Sequence, residues 1–209
     1  MSKPAHYNSM LPSIFPGNRP IKYLTEQQVN ALTAAWQNWY DSTKTPGRRM
    51  YRGRYWLTYL VLRFTGARIS EVLQIKDNED INFRTAEIRM PTLKRKKGMI
   101  RTVFVPSEVV AEIATYLAEY PHMRGKIFAL KHQNFRSRFV DIALRAGIPR
   151  DLAHPHVLRH TRAIEMLRAG VPVTVVQDQL GHAYLSTTAV YLKISGAEAR
   201  QILKSKGLI

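Results

Sequence analysis

No cysteine occurs anywhere in the 209 residues. Disulfides, thiolate metal ligands and cysteine nucleophiles are therefore excluded. Acidic side chains are scarce: fifteen Asp and Glu stand against thirty-two Lys and Arg, a formal charge of +17. Such a field draws polyanions, and nucleic acid is the commonest of them. Ribosomal and chromatin proteins are equally basic, so the charge alone does not imply catalysis. No apolar run approaches the length that spans a bilayer. Residues 1–20 lack the charged start and apolar stretch of a signal peptide. Neither a basic amphipathic terminal helix nor a lipidation motif turns the charge toward a membrane. A soluble cytoplasmic protein, associated with the nucleoid, is expected. With 45% hydrophobic residues, the length suits one large domain or two small ones with a real core.

Pro4, Pro12, Pro16, Pro20 and Gly17 make residues 1–20 an extended or flexible arm. Thr25 and Gln28 form a capping box, and Val29, Leu32, Trp36 and Trp39 follow at helical spacing. The stretch Asp41–Arg49 reads as a basic linker. A strongly apolar helix over about 50–65 ends at Gly66, and a short helix runs through Glu71, Val72 and Ile75. Over 81–105 the period changes. Ile88 and Met90 alternate with polar neighbours, a basic run interrupts, and Ile100, Val103 and Val105 resume, as in a β-hairpin with a basic tip. Further helices are expected from a Ser107 cap, over 133–146 closed by Gly147, over 156–169 closed by Gly170, up to Gly181, after Ser186, and over 197–205. The fold class is α+β, mainly helical, with one small antiparallel sheet.

Three clusters carry candidate chemistry. Arg68, in Thr65-Gly66-Ala67-Arg68-Ile69-Ser70-Glu71, lies in a turn between two apolar helices; capping the preceding helix or pairing with Glu71 would also explain it. In His154-Pro155-His156-Val157-Leu158-Arg159-His160, Pro155 suits a first helical position. His156, Arg159 and His160 then share one face. His156 and His160 also have the spacing of paired helical metal ligands, but Arg159 would repel a cation and no carboxylate evidently joins the pair. The third cluster, Leu180-Gly181-His182 through Tyr191, stops one helix and places Tyr191 on the first turns of the next. Residues 173–192 also read as a helix-turn-helix, the mark of a regulator, and a lone Tyr191 reads as a half-buried aromatic with a wet hydroxyl.

Taken in order, these motifs resemble the tyrosine recombinase family, in its Xer-type and phage-integrase branch. The pattern is an Arg after a Gly-containing turn followed by Ile-Ser-Glu, a basic hairpin, His-x-x-Arg-His, Leu-Gly-His, and a Tyr nine residues beyond that His. It covers about residues 50–195. The resemblance implies the recombinase catalytic-domain fold over residues 21–195, with 196–209 as a tail. It also implies cleavage and rejoining of DNA through a 3′-phosphotyrosine, with no metal, cofactor or ATP.

The chemistry suits those residue types. Attack on a phosphodiester builds negative charge on its non-bridging oxygens, and guanidinium forks match it. Arg68 and Arg159 are assigned to that clamp. The resemblance makes Tyr191 the expected nucleophile, and a phosphotyrosine would conserve the phosphate's energy for resealing. An unperturbed phenol has a pKa near 10, so a base must help. His156 is expected to take that role, and His182 to donate to a phosphate oxygen. In the family a hairpin Lys protonates the leaving 5′-oxygen. Lys94 matches best, with Lys96 and Lys97 as competitors; Arg95, Lys96 and Lys97 otherwise contact phosphates. Glu71 and His160 are supporting residues that orient their neighbours.

Residues 1–47 are expected to be too short for the DNA-clamping helical domain of larger relatives, so the chain resembles the short, catalytic-domain-only recombinases; either the arm and linker clamp DNA weakly or an unknown accessory protein replaces the clamp. Tyr191 is followed by Leu192-Lys193, where many relatives have Thr-His. Ile202, Leu203, Leu208 and Ile209 could form an apolar knob docking on a neighbouring protomer. The implied partner is double-stranded DNA, bound as a homotetramer and, off DNA, as a monomer or dimer. Two alternatives stay open: a non-cleaving, sequence-specific DNA-binding protein of the same fold, and a type IB topoisomerase-like nickase.

Overall fold

The computed structural model describes residues 21–91 and 100–181, with positions 204 and 207. The expected arm, the hairpin tip with Lys94 to Lys97, and nearly all of the segment from His182 onward lie outside the described residues. Lys204, within the expected last helix, is helical.

Helix α1 (Glu26–Asp41) opens on the expected capping box: the Gln28 amide donates to Thr25 Oγ1 at 3.2 Å, and the Thr25 amide donates to Gln28 Oε1 at 2.9 Å. Its buried stripe is Val29, Leu32, Trp36 and Tyr40. Trp39, expected on that stripe, sits one residue off it and is half-buried. The guanidiniums of Arg52 and Arg138 each lie 5.0 Å from its ring.

Helix α2 (Pro46–Thr65) starts four residues earlier than expected. The linker shrinks to 42–45, because a proline at the first helical turn loses only an N–H that would be unpaired anyway and presets φ. The residues from Tyr55 to Leu62 are all buried, so α2 is the central helix; it packs on α1 and, further along the chain, on α5 (Ser107–Glu119) and α7 (His156–Arg168). Trp36 anchors this core, stacked 5.1 Å from Tyr59 and 5.7 Å from Phe135. Phe135 belongs to α6 (His132–Arg145).

Two short helices, α3 (Ile69–Val72) and α4 (Asp77–Asp80), lead into an antiparallel sheet of order β1-β2-β3: β1 (Ile81–Asn82), β2 (Glu87–Pro91) and β3 (Ile100–Phe104). Ile88 faces Val103 and Met90 faces Arg101 across β2 and β3. Ile88, Met90 and Val103 point into the core, as expected for the first two and the third. Ile100 does not: it is 51% exposed. Side chains alternate along a strand, so counting back two from Val103 turns Arg101 inward and Ile100 outward.

Ser107 is the first residue of α5 rather than its cap. Extended Pro106 occupies the cap position, with no side-chain bond. Helices α6 and α7 and the short α8 (Val173–Leu180) fall close to the expected positions. A second, smaller apolar cluster joins α7 to α8 through Ala163, Ile164, Leu167, Val176 and Leu180. The architecture is mainly helical with one small antiparallel sheet. Among the described residues no helix is long and apolar enough to cross a membrane.

Candidate active site

The site begins where α2 ends. Gly66 caps the helix in a left-handed conformation, φ 64°. A Cβ there would lie 2.6 Å from Leu180 Cδ2 and 3.2 Å from Arg162 Cβ, so the turn nests against α7 and α8. Two residues later Arg68 opens α3. Its backbone N–H donates to Glu71 Oε2 at 3.0 Å and its Nη1 to Glu71 Oε1 at 2.9 Å. The pairing with Glu71, read from the sequence as one account of Arg68, is present. The Arg68 side chain is 18% exposed and that of Glu71 fully buried.

A buried carboxylate needs more than one partner to offset its desolvation, and the second comes from the sheet. Arg101 Nη2 donates to Glu71 Oε2 at 2.8 Å. Burial pushes the Glu71 carboxyl up, but the hydrogen bond and charge of Arg101, and then Arg68, outweigh it and hold it below its ordinary range. Glu71 is therefore ionised at neutral pH. Arg101 was not recognised in the sequence. The signal was available: an Arg two residues before an inward Val occupies the inward face of its strand.

Arg159, on α7, is 2% exposed. Its Nη1 donates to the carbonyl of Gly66 at 2.8 Å and to that of Leu180 at 2.7 Å. It thereby joins the Arg68 turn to the last turn of α8, one residue before Gly181 and two before His182. Three guanidiniums, on the α2–α3 turn, β3 and α7, thus surround one turn and one buried carboxylate.

Pro155 precedes α7 in a helical conformation, and His156 is its first residue. His156 and His160 face each other one turn apart, rings 4.7 Å between centroids and perpendicular. Burial, reinforced by the positive charge of His156, His154 and Arg159, pushes the His160 imidazole down to about 4. At neutral pH it is an uncharged ring. Among the described residues no third His or carboxylate joins this pair in a cluster fit to hold a metal ion. The structure therefore brings Arg68, Glu71 and Arg159 together with Arg101, and places His156 and His160 at the start of α7. Lys94, Arg95, Lys96, Lys97, His182 and Tyr191 lie outside the described residues; β3 leaves the expected Lys94 tip, and α8 leads into the His182–Tyr191 segment.

The phage integrase family matches residues 22–198. A tyrosine recombinase of Thermosipho africanus is 31% identical over 190 residues, which make up 87% of this chain and 60% of the relative. The chain thus spans well under two thirds of that relative's length. The crystal structure of XerA recombinase superposes with a TM-score of 0.71 at 26% identity, covering 91% of this chain and 66% of that one. The catalytic domain of bacteriophage HP1 integrase superposes with a TM-score of 0.59 at 24% identity, covering 88% of this chain and 94% of that one. The fold is that of tyrosine recombinase catalytic domains. The ordered motifs, the architecture around them and the match over most of the sequence agree, and the chain belongs to the phage integrase family.

Proposed function

We propose that residues 21–195 form the DNA breaking-and-rejoining unit of a site-specific recombinase, acting through a 3′-phosphotyrosine without metal or ATP. The observation that carries this reading is the bracing of Arg68: Glu71 holds it from below, and Arg159 pins the turn that presents it. Electrostatic stabilisation works best when donors are fixed before charge develops. Arg68 and Arg159 supply guanidinium charge to the non-bridging oxygens of the scissile phosphate, and His182 adds a hydrogen bond. The Tyr191 hydroxyl attacks phosphorus as its proton passes to His156. The bond from phosphorus to the 5′-oxygen breaks, and Lys94 protonates that oxygen. A 5′-hydroxyl reverses these steps and releases Tyr191, so one phosphodiester is exchanged for another with no net energy input.

The partner is double-stranded DNA. Arg95, Lys96 and Lys97 at the hairpin tip contact its phosphates, and the enzyme works as a homotetramer on paired inverted half-sites in the cytoplasm. A non-cleaving DNA-binding protein of the same fold is the second reading. It is favoured by the commitment of Arg159 Nη1 to two backbone carbonyls, which makes this residue a strut in the DNA-free protein.

One experiment separates the two. The protein is incubated with a nicked random-sequence duplex library, and covalent protein–DNA adducts are isolated on denaturing gels. The recombinase reading expects an adduct from wild type, unchanged by a chelator and mapped to Tyr191, and none from Tyr191→Phe, which still binds DNA. Sequence-selective binding with no adduct from wild type supports the non-cleaving reading.

A further inference from the structure

We propose that Arg101 is a positioning residue for strand transfer, tying the end of α8 and the strand that leaves the basic hairpin to the carboxylate that holds Arg68. The inference rests on the recombinase reading for its catalytic consequence, though not for its geometry.

The Arg101 side chain is 10% exposed, and its guanidinium spans three elements. It starts on β3, directly after the hairpin tip. Nη2 reaches Glu71 Oε2 at 2.8 Å, and Nε donates to the backbone carbonyl of Gln179 at 3.3 Å. Nη1 is buried against Gly181, where an added Cβ would lie 2.6 Å from it. Gly181 thus meets two demands: a left-handed φ of 71° and room for a guanidinium. The Gln179 side chain reinforces the join. Its amide donates to the Phe104 carbonyl at 2.9 Å, and its oxygen accepts from the Phe104 N–H at 3.3 Å, as a neighbouring strand would.

Carbonyls in the last turn of a helix lack intrahelical donors and carry partial negative charge. In α8 two of them are capped by arginines: Gln179 by Arg101 and Leu180 by Arg159. Both arginines also contact the Arg68 site, one through Glu71 and the other through Gly66. The chain that carries His182 and Tyr191 leaves from this doubly held end. A displacement of about 1 Å between nucleophile and phosphate clamp costs on the order of 100-fold in rate. Lysine cannot substitute fully, since a single ammonium lacks the planar fork that serves Glu71 and Gln179 together.

Wild type, Arg101→Gln and Arg101→Lys are compared by three readouts. These are single-turnover adduct formation on nicked duplexes captured by wild type, equilibrium binding to the same duplexes, and hydrogen exchange of the DNA-free protein at the Gly181 amide. That amide donates to the Gln177 carbonyl at 2.9 Å and so reports the end of α8. Arg101→Gln is expected to slow adduct formation about 100-fold, to leave DNA affinity within about threefold, and to speed exchange at Gly181 at least about tenfold. Arg101→Lys is expected to recover part of both the rate and the protection. Wild-type protection at Gly181 in Arg101→Gln overturns the proposal, and so does a wild-type rate. If wild type forms no adduct, the recombinase reading fails and the exchange measurement still decides whether Arg101 holds α8. If Arg101→Gln does not fold, Arg101→Lys carries the comparison: wild-type behaviour in both rate and exchange overturns the proposal, and a partial loss of both supports it.

Discussion

Trp36 on α1 and Glu71 on α3 are both fully buried, yet their surroundings have almost nothing in common. Trp36 lies against rings: Tyr59, Phe135, Phe139 and Trp39 all have centroids within about 6 Å of its own. Glu71 lies between guanidiniums, with Arg68 and Arg101 on its two oxygens. Ring packing is non-directional and tolerates a smaller apolar neighbour at a graded cost. An ion cluster is directional, and removing one member leaves the others charged and desolvated. The first region sets stability. The second holds Arg68 in place, and its stability is tied to protonation.

The contrast can be broken most severely at Trp36. Trp36→Ala should lose roughly 5 kcal/mol in denaturant unfolding. Trp36→Phe should lose less than half of that, because it also removes an indole N–H buried without a hydrogen-bond partner. Glu71→Gln comes next, at about 4 kcal/mol, since two guanidiniums lose their counter-charge. Unlike the tryptophan changes, it should also abolish adduct formation at temperatures where the variant remains folded. A stable, active Glu71→Gln protein would erase the distinction between the two regions.

Acid sharpens the same contrast. The His160 imidazole titrates at about 4 in the folded chain against an ordinary 6.5. Between those values the unfolded chain binds more protons, so the His160 contribution to stability falls as pH drops from 6.5 toward 4 and then levels, by about 3 kcal/mol in all. Glu71 acts in the next window. Its carboxyl is depressed, so its contribution is complete above the ordinary carboxylate range and is lost as pH falls through its folded value. Denaturant unfolding of His160→Gln across pH should remove most of the first slope, leaving the share of His154, whose imidazole burial also pushes down, and should keep the second. The smallest effect belongs to the surface: Thr25→Ala should cost about 1 kcal/mol by removing half of the capping box, with no change in adduct formation.

Much of this was legible along the chain. Capping by Thr25 and termination at Gly66 and Gly181 are local events, settled by a few neighbouring side chains and one φ angle. The pairing of Arg68 with Glu71 spans three residues of one turn, so it too could be read directly. The start of α2 was missed because Pro46 and Gly47 look like a linker until the following turn is seen to be helical. Arg101 was missed because Ile100 looks like the apolar member of the alternation; strand register, measured against Met90 on the partner, assigns the inward place to the arginine.

The sequence by itself determined the chemical inventory and the family: a cysteine-free, basic chain with its Arg, His and Tyr motifs in a fixed order. Those properties depend on residue identity and short spacing, which no later folding step can change. Only the tertiary structure decided that Arg101 and Glu71, thirty residues apart, share a hydrogen bond, and that Arg159 joins Gly66 to Leu180. Such contacts arise where a strand, a turn and two helix ends meet. Their cause is the demand that each buried charge and helix-end carbonyl find a partner, and that demand is satisfied across elements rather than along the chain.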